Sequence, residues 1–590
     1  MNSLSRHLKP YTWLIVITVL LVSFQAYINL YLPDLMSEIV NNGIAKSDTA
    51  YIVNTGWKML GVTLLGVAAA IMASLFSSRA AMGFGRDLRN SIFAKVESFS
   101  LQEMDELSTA SLMTRTTNDV TQIQNTMVMV LRMVVMAPVM GIGGVIMAFR
   151  KSASMSSILL IVVPVLIIGL LIIVSITGRL FKQLQKKIDK LTLVLRETVS
   201  GIRVIRAFNK EQYEAERFTA ANDDLTKTAL AVNRINALIF PLMMLIMNAT
   251  TIAVLWFGTH QIDRNTLLVG DLMAVLQYVM QILFSFIMIS MIFVFLPRAS
   301  VAGQRINEVL KKKNSIVDSL EHIGADTKVK NESGSGGQKQ PLDFKELTFE
   351  QVSFHYHNAP EPALKDIDFT LRSGKTTAII GTTGAGKTSV LNLILRLYDP
   401  SAGKIILDGK DIKTIPLAQL RCAISYATQK PVIMSGTIRE NIDFGRNLPD
   451  ARIEQAADIA QVLEFAMSME QGLDTPITQG GTNLSGGQKQ RISLARALAG
   501  ESALYIFDDT FSALDFKTDA KIRQRLHEIT GGAAVLIVAQ RVATVMHADE
   551  IILLKDGIIQ GMGTHTELMR SCQVYSELVY SQLSKEEATA

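Results

Sequence analysis

Six apolar segments crowd the first half of this chain and constrain its fold more than any other feature. They cover residues 11–32, 57–78, 127–149, 158–181, 235–257 and 272–296. Each is close to the ~20 residues that carry an α-helix across the hydrocarbon of a bilayer. Backbone polar groups in hydrocarbon have no water to bond, so such segments fold as helices whose hydrogen bonds are internal. Composition agrees: 49% of the 590 residues are hydrophobic and the mean hydropathy is +0.28, above the usual soluble range. Pro138, Pro164 and Pro241 fall within or at the start of three segments. Neighbouring helices satisfy the freed carbonyls there, and the simplest reading is a kink with no further role.

Charge sets the topology. Arg6 and Lys9 precede the first segment, and connections 79–119 and 179–234 are rich in Lys and Arg, which assigns them to the cytoplasm. The connection carrying Asp34, Glu38 and Asp48, the turn at 150–157 and the stretch 260–266 are short or weakly basic and fall outside. Six spans return the chain to the cytoplasm, so the N-terminus and everything after Pro297 are expected there. The first span is too long for a removed leader, lacks a small-residue cleavage site, and reads as an anchor. A net charge of +5 is mild, and the basic residues lie in loops, so no nucleic acid is implied. Cys422 and Cys572 both lie in the polar second half, which argues against a disulfide framework or a cysteine-rich metal site.

Both long cytoplasmic connections interleave charged and apolar residues, as in RLFKQLQKKIDKLTLVLRETVSGIRVIRAFNKEQYEAERF, and predict helices that project beyond the membrane. Past the last span, KVKNESGSGGQKQPLDF has the polar, Gly/Ser-rich composition of a linker. Then strand-like runs (KTTAIIG, SALYIFDD, AAVLIVAQ) alternate with helical ones such as KTSVLNLILRLY, predicting an α/β domain with a largely parallel sheet. The expected fold class is a multidomain membrane protein. An all-α six-helix transmembrane domain over 1–325 and a linker at 326–346 lead to an α/β domain over 347–590, which the phosphate-loop pattern GTTGAGKTS makes a P-loop nucleotide-binding domain.

The chemistry is concentrated in that last domain. GTTGAGKTS comprises Gly381, Thr382, Thr383, Gly384, Ala385, Gly386, Lys387, Thr388 and Ser389, between an apolar strand and an amphipathic helix. Gly384 and Gly386 let successive N–H groups turn toward an anion, Lys387 supplies a mobile positive charge, and Thr388 offers a hydroxyl to magnesium. SALYIF leads into Asp508, at the strand edge where open α/β sheets bind ligands. From there Asp508 is expected to hold magnesium through water, with Gln429 completing the metal shell. ATP and Mg2+ are the implied ligands. A lone Ser-Gly-Gly is more often a turn, but TNLSGGQKQR stands directly before a helix and upstream of the acidic strand.

Taken together, these motifs resemble those of ATP-binding cassette exporter half-transporters, over essentially the whole chain outside the linker. LSGGQ, comprising Leu484, Ser485, Gly486, Gly487 and Gln488, is the family's most specific mark. The resemblance implies an ATPase-coupled transporter in which Tyr356 stacks on adenine, although an aromatic residue in such a strand also suits a core. It further implies that Gln429 couples magnesium to the membrane domain. Ser512, Ala513, Leu514 and Asp515 would then form the loop touching the opposing subunit. Cassettes of this family pair head to tail, so each ATP would lie between one chain's phosphate loop and the other's LSGGQ. ETVSGIRVIRAFNKE resembles the region of the second coupling helix and LSTASLMTRTTNDV that of the first.

Three positions depart from the family pattern. Asp509 stands where the family places its catalytic glutamate, Gln540 where it places its switch histidine, and Gln479 where an acidic residue is common. Aspartate is one methylene shorter, and a misplacement of about 1 Å costs on the order of a hundredfold in rate. Glutamine donates a hydrogen bond but cannot become cationic. The expectation is a degenerate site that holds ATP and cleaves it slowly. Its chain would belong to a heterodimer whose non-identical second half supplies the glutamate and histidine, resembling bacterial heterodimeric multidrug exporters in the cell membrane. A homodimeric lipid or peptide exporter with neutral variation at Asp509 and Gln540 is one alternative; a non-transporting ATP-gated channel or sensor is another. The spans have few acidic residues but carry Gln25, Asn248, Gln277 and Gln281, with methionines clustered in TMVMVLRMVVMAPVM and PLMMLIM. Flexible thioethers suit hydrophobic or amphipathic small-molecule cargo, and equally ordinary packing. Arg132 is expected to snorkel toward an interface.

Overall fold

The computed structural model describes residues 6–318, 344–357 and 359–584. Its contacts divide the chain into two units, Met1–Glu97 with Ser108–Lys312, and Ser98–Leu107 with Lys313–Ala590. The linker expected at 326–346 lies, up to residue 343, outside the described residues.

In the first unit the apolar runs lie in helices that extend beyond them: α1 (Thr12–Glu38), α2 (Thr49–Glu97), α4 (Val120–Lys151), α5 (Leu159–Ser200), α7 (Glu211–Asp263) and α8 (Val269–Lys311). The short helices that intervene include α3 (Leu101–Leu107), in the second unit, and α6 (Ile202–Ala207), in the first. Helix α7 has 53 residues, or ~80 Å at ~1.5 Å per residue, far more than the ~30 Å of hydrocarbon. Among the described residues five segments are long and apolar enough to cross a membrane: Arg6–Ile44, Thr49–Glu97, Thr109–Lys151, Pro241–Asp263 and Val269–Ile292. The structure thus accounts for five of the six expected spans. The remaining one, 158–181, falls in α5, where several side chains lie outside the described residues and the apolar stretch Ala153–Gly169 is shorter than a span. Pro138, Pro164 and Pro241 sit inside α4, α5 and α7, and so does Pro33 inside α1. Helix α1 therefore outruns its apolar run, ending in a π-helical turn at Ile39–Ile44.

Close approach explains the tightest packing of this unit, between α4 and α8. A Cβ on Gly144 would lie 2.8 Å from Ile282 Cγ1, so the absent side chain sets the helix separation. Around this contact Ala26, Leu30, Met140, Ala148, Val275, Tyr278 and Val279 are buried, whereas Leu64, Ile161 and Trp256 remain exposed, as lipid-facing residues do. Where α1 and α4 end and α8 begins, Lys151 Nζ lies 2.5 Å from Asp34 Oδ1 and 3.3 Å from Asp271 Oδ1. Ser37 Oγ donates to Asp271 Oδ1 at 2.7 Å, and the Gly270 N–H donates to Asn41 Oδ1 at 2.8 Å. One cation thereby ties three helices.

The second unit is built on a six-stranded sheet of order β12-β11-β3-β10-β9-β6. Its strands are β3 (Thr376–Ile380), β6 (Ile424–Ala427), β9 (Leu504–Asp508), β10 (Ala534–Ala539), β11 (Glu550–Lys555) and β12 (Ile558–Gly563). All pair in parallel except β12. Every residue of β9 and β10 is buried, which explains why they read as unbroken apolar runs: both faces are covered. A four-stranded antiparallel sheet, β2-β1-β4-β5, joins β1 (Glu346–Phe354), β2 (Leu364–Arg372), β4 (Ala402–Leu407) and β5 (Lys410–Asp411). A two-stranded ribbon pairs β7 (Gly436–Thr437) with β8 (Pro476–Ile477).

Helix α3 belongs to this second unit although its neighbours in sequence belong to the first. The Tyr398 hydroxyl donates to Asp105 Oδ2 at 3.0 Å. Glu103, 1% exposed, accepts from the N–H and Oγ of Ser100 and from the Ser315 N–H at 2.7 to 2.9 Å. Burial works to raise the Glu103 carboxyl, but these hydrogen bonds outweigh it and hold it below its usual range. The segment grouped with the second unit is thus Ser98–Leu107, which meets LSTASLMTRTTNDV at Leu107. That sequence forms the helix Thr109–Thr114 and a π-turn at Arg115–Asp119.

The ion cluster yields a stability test. Lys151→Ala leaves Asp34 and Asp271 adjacent with no counter-ion, a loss of about 2 kcal/mol for partly buried charges, whereas Lys151→Arg preserves the cation. The melting temperature of the detergent-solubilised protein should drop by several degrees in the first variant and little in the second; equal melting for Lys151→Ala and the parent would contradict the role given to the cluster.

Candidate functional site

Parallel register positions the site. Ile380 on β3 is level with Ala539 on β10, Val538 on β10 with Asp508 on β9, and Ala427 on β6 with Phe507 on β9. Four strands running the same way end within about a residue of one another, so the loops that follow open at one edge. Those loops carry Gly381–Ser389, Gln540, Asp508 with Asp509, and Gln429. Together with Tyr356 and Ala363, side chains from these four loops line a cavity of about 270 Å³.

Gly384 and Gly386 have φ of +84° and +101°, conformations that cost a residue with a Cβ. At Gly386 a Cβ would also lie 2.7 Å from Leu364 Cδ2. Helix α9 (Lys387–Ile394) starts here with no side chain capping its N-terminus, which leaves its N–H groups available to an anion. The Lys387 ammonium is 8% exposed and donates to the carbonyls of Gly381 and Thr382, both at 2.8 Å. Ala385, 2% exposed, packs under the loop. Burial pulls Lys387 below its ordinary value despite the nearby charges of Asp509 and Asp508. Burial also pushes the Asp508 carboxyl up, against a 3.2 Å hydrogen bond from the Tyr426 hydroxyl.

Asp509 follows with φ of +46°, left-handed backbone that aspartate tolerates better than most residues, and its N–H donates to Val538 O at 2.8 Å. Its Oδ2 accepts from Gln540 Nε2 at 3.1 Å and from Gln429 Nε2 at 3.3 Å. Gln540 Oε1 in turn accepts from Thr383 Oγ1 at 3.5 Å. Thr388 and Ser389 line the cavity, and Ser389 Oγ lies 3.0 Å from the Tyr356 hydroxyl. The Tyr356 ring stands edge-on to Phe354 and Tyr398, with centroids 4.7 and 5.3 Å away, so Tyr356 is both cavity wall and aromatic core.

The remaining predicted residues lie elsewhere. Among the described residues, none of Leu484–Gln488 or Ser512–Asp515 lines the cavity. Ser485 caps helix α10 (Gly486–Ala499): the Gln488 N–H donates to Ser485 Oγ at 3.3 Å, and the Ser485 N–H donates to Gln488 Oε1 at 2.8 Å. Leu484 is buried beneath, whereas Gly486 faces open space and Gly487 approaches Ala513 O. Asp515 caps helix α11 (Phe516–Thr530) through the Thr518 N–H, and Gln479 is exposed in a turn. Sequence reasoning missed Tyr426, which touches Asp508; only its place on the strand beside β9 hints at the contact.

Comparison with known proteins decides the family. Residues 14–313 match the ABC transporter transmembrane region and residues 364–512 the ABC transporter ATP-binding family. This chain belongs to the ABC transporter family. An uncharacterized ABC transporter ATP-binding protein of Mycobacterium tuberculosis is 39% identical over 98% of this chain and 97% of its own length. The ATP-dependent lipid A-core flippase of Syntrophus aciditrophicus is 30% identical over 85% of this chain and 80% of its own. The structure of a bacterial Atm1-family ABC exporter with ATP bound superposes with a TM-score of 0.76 at 21% identity, covering 99% of both chains, and so shares the fold. The protein is a multi-pass membrane transporter that couples transport to its ATPase domain.

The raised Asp508 carboxyl gives a signed prediction. A carboxyl raised by the fold contributes stability while protonated, and that contribution is lost as pH rises through its folded value. At neutral pH Asp508→Asn should therefore raise the nucleotide-free melting temperature, with the difference shrinking as pH falls toward and below the elevated titration of Asp508, while Mg-dependent ATP binding is lost. A nucleotide-free variant that melts below the parent at neutral pH would show that Asp508 is not held at a cost.

Proposed function

We propose that this transporter exports hydrophobic or amphipathic compounds as one half of a heterodimer, its own ATP site serving as a slowly hydrolysing, long-occupied clamp. The observation that carries this reading is the environment of Asp509. Its carboxylate is one methylene short of the family's glutamate, and one of its oxygens is occupied by two amide donors, Gln429 and Gln540. The binding side of the same cavity keeps its parts: an uncapped helix start, a buried lysine, the Thr388 hydroxyl and the buried Asp508. These groups fit Mg-ATP. Thr388, Gln429 and Asp508 would hold the ion, which when bound neutralises phosphate oxygens. Lys387 would leave the carbonyls of Gly381 and Thr382 for the phosphates, and Tyr356 would lie against the base. Gln540 supplies an amide where a cationic or proton-passing group is needed for fast cleavage.

A second chain is supported by surfaces that one chain leaves bare. Helix α6 has no buried residue; its own Val204 and the following Phe208 are 61% and 72% exposed. None of LSGGQ or Ser512–Asp515 lines the cavity that this family completes with them. We assign the membrane domain to 1–325 with six spans, the linker to 326–346 and the nucleotide domain to 347–590. The N-terminus and nucleotide domain are placed in the cytoplasm of a bacterial cell, and transport runs outward. The name of the Syntrophus aciditrophicus relative, a lipid A-core flippase, supports lipid-like amphiphiles as cargo, and a second reading joins that cargo to a homodimer of this chain.

One experiment separates the two. In the assembled transporter, Asp509→Asn should lower ATP turnover less than about threefold, because the second half's site carries the flux, whereas replacing that half's glutamate should lower it more than about a hundredfold. Near-complete loss from Asp509→Asn alone favours the homodimer. The head-to-tail arrangement has its own check: Ser485→Arg should block the fast site although it lies in the other chain, and unchanged turnover would refute that pairing.

A further inference from the structure

The loop that carries Gln540 is held from behind by a side chain 40 residues later. Gln540 directly follows β10, beyond the last strand pairing of Ala539 with Ile380, so its carbonyl has left the ladder. Two residues on, Val542 opens a four-residue helix, Val542–Val545, whose N-cap Arg541 makes no side-chain cap, and Val542 is fully buried. Both backbone groups need partners. Gln582 supplies them together. Its Nε2 donates to Gln540 O at 2.9 Å, and its Oε1 accepts from the Val542 N–H at 2.8 Å. One carboxamide thus takes the place of a peptide group and extends the strand's bonding by one step. Gln582 ends helix α12 (Gln573–Gln582), which Tyr575 and Val579, both fully buried, pack into the cluster containing Ala539 and Val542. The amide is therefore presented from a seated support.

We infer that Gln582 is a positioning residue for the nucleotide site. By fixing the backbone on either side of Arg541, it sets the direction of the Gln540 side chain, and Gln540 spans Thr383 of the phosphate loop and the carboxylate of Asp509. Through this path the C-terminal helix governs how long nucleotide stays on this chain's own loop, while capture is left to Lys387 and the helix start. The inference rests on the part given to Gln540 above, not on the identity of the second half or the cargo.

The test uses full-length transporter in lipid nanodiscs with a fluorescent ATP analogue and magnesium. In Gln582→Ala, amide hydrogen exchange in peptides containing Val542 should accelerate at least about tenfold, as expected when a buried donor loses its partner. Analogue release from this chain's loop should quicken roughly three- to tenfold with association unchanged, since small misplacements act on the held state. In a Gln540→Ala background, Gln582→Ala should have no further effect on release, a result that general loosening of the domain would not give. Unchanged exchange at Val542 overturns the clamp. Faster exchange with unaltered release in both Gln582→Ala and Gln540→Ala overturns the link to nucleotide and, with it, the part assigned to Gln540. An equal acceleration of release with and without the Gln540 side chain overturns the path.

Discussion

The structure of the second unit depends on one constraint: all strands of its main sheet except the edge strand β12 pair in parallel, and the four that carry the site end together. Because Ala539, Asp508 and Ala427 finish their strands nearly level with Ile380, loops distant in sequence share one cavity without a dedicated scaffold. Parallel pairing requires a crossover between each pair of strands, and those crossovers bury both faces of β9 and β10. The same burial that makes the strands apolar also makes their polar ends costly, so the site's charges sit where solvent is least able to hold them.

Lys387 and Asp508 show how that cost is distributed. Burial moves each toward its neutral form, the lysine downward and the aspartate upward, and their mutual attraction offsets only part of the shift. On the proposed binding of Mg-ATP, Lys387 beside phosphate and Asp508 beside magnesium would regain full charge, which is how a site can be unfavourable empty and favourable full. Asp509 differs. It is more open to solvent, carries a left-handed backbone, and is restrained by neutral amides instead of charge.

Much of this was readable from the chain, for identifiable reasons. Gly381–Ser389, Gln429 and Asp508 could be nominated because phosphate and metal chemistry restrict residue type and spacing, Asp509 and Gln540 because of what the family resemblance implies at their positions, and the fold gathers them. Helix lengths were less legible. Hydropathy marks only the part of a helix in lipid, so α2 and α7 outrun their apolar runs at both ends, and α1 passes through Pro33 where composition suggested a stop. Contacts across long sequence separations were invisible. Tyr426 meets Asp508 from 82 residues away, and Tyr398 meets Asp105 from 293; nothing in the local pattern of either tyrosine distinguishes it from core. The grouping of Ser98–Leu107 with the second unit was invisible for the same reason, since it is fixed by Tyr398 and Ser315 and not by the segment's own periodicity.

That segment also bears on how the protein is made. Ser98–Leu107 leaves the ribosome nearly three hundred residues before Tyr398, which receives Asp105, and chains are synthesised from the N-terminus at about 5–20 residues per second. For many seconds Glu103 and its neighbours exist without the surface they belong to, while the spans on both sides of them insert. The second unit therefore assembles from two stretches of chain made far apart in time: the hydrogen bonds from Tyr398 and Ser315 close on a segment translated long before them.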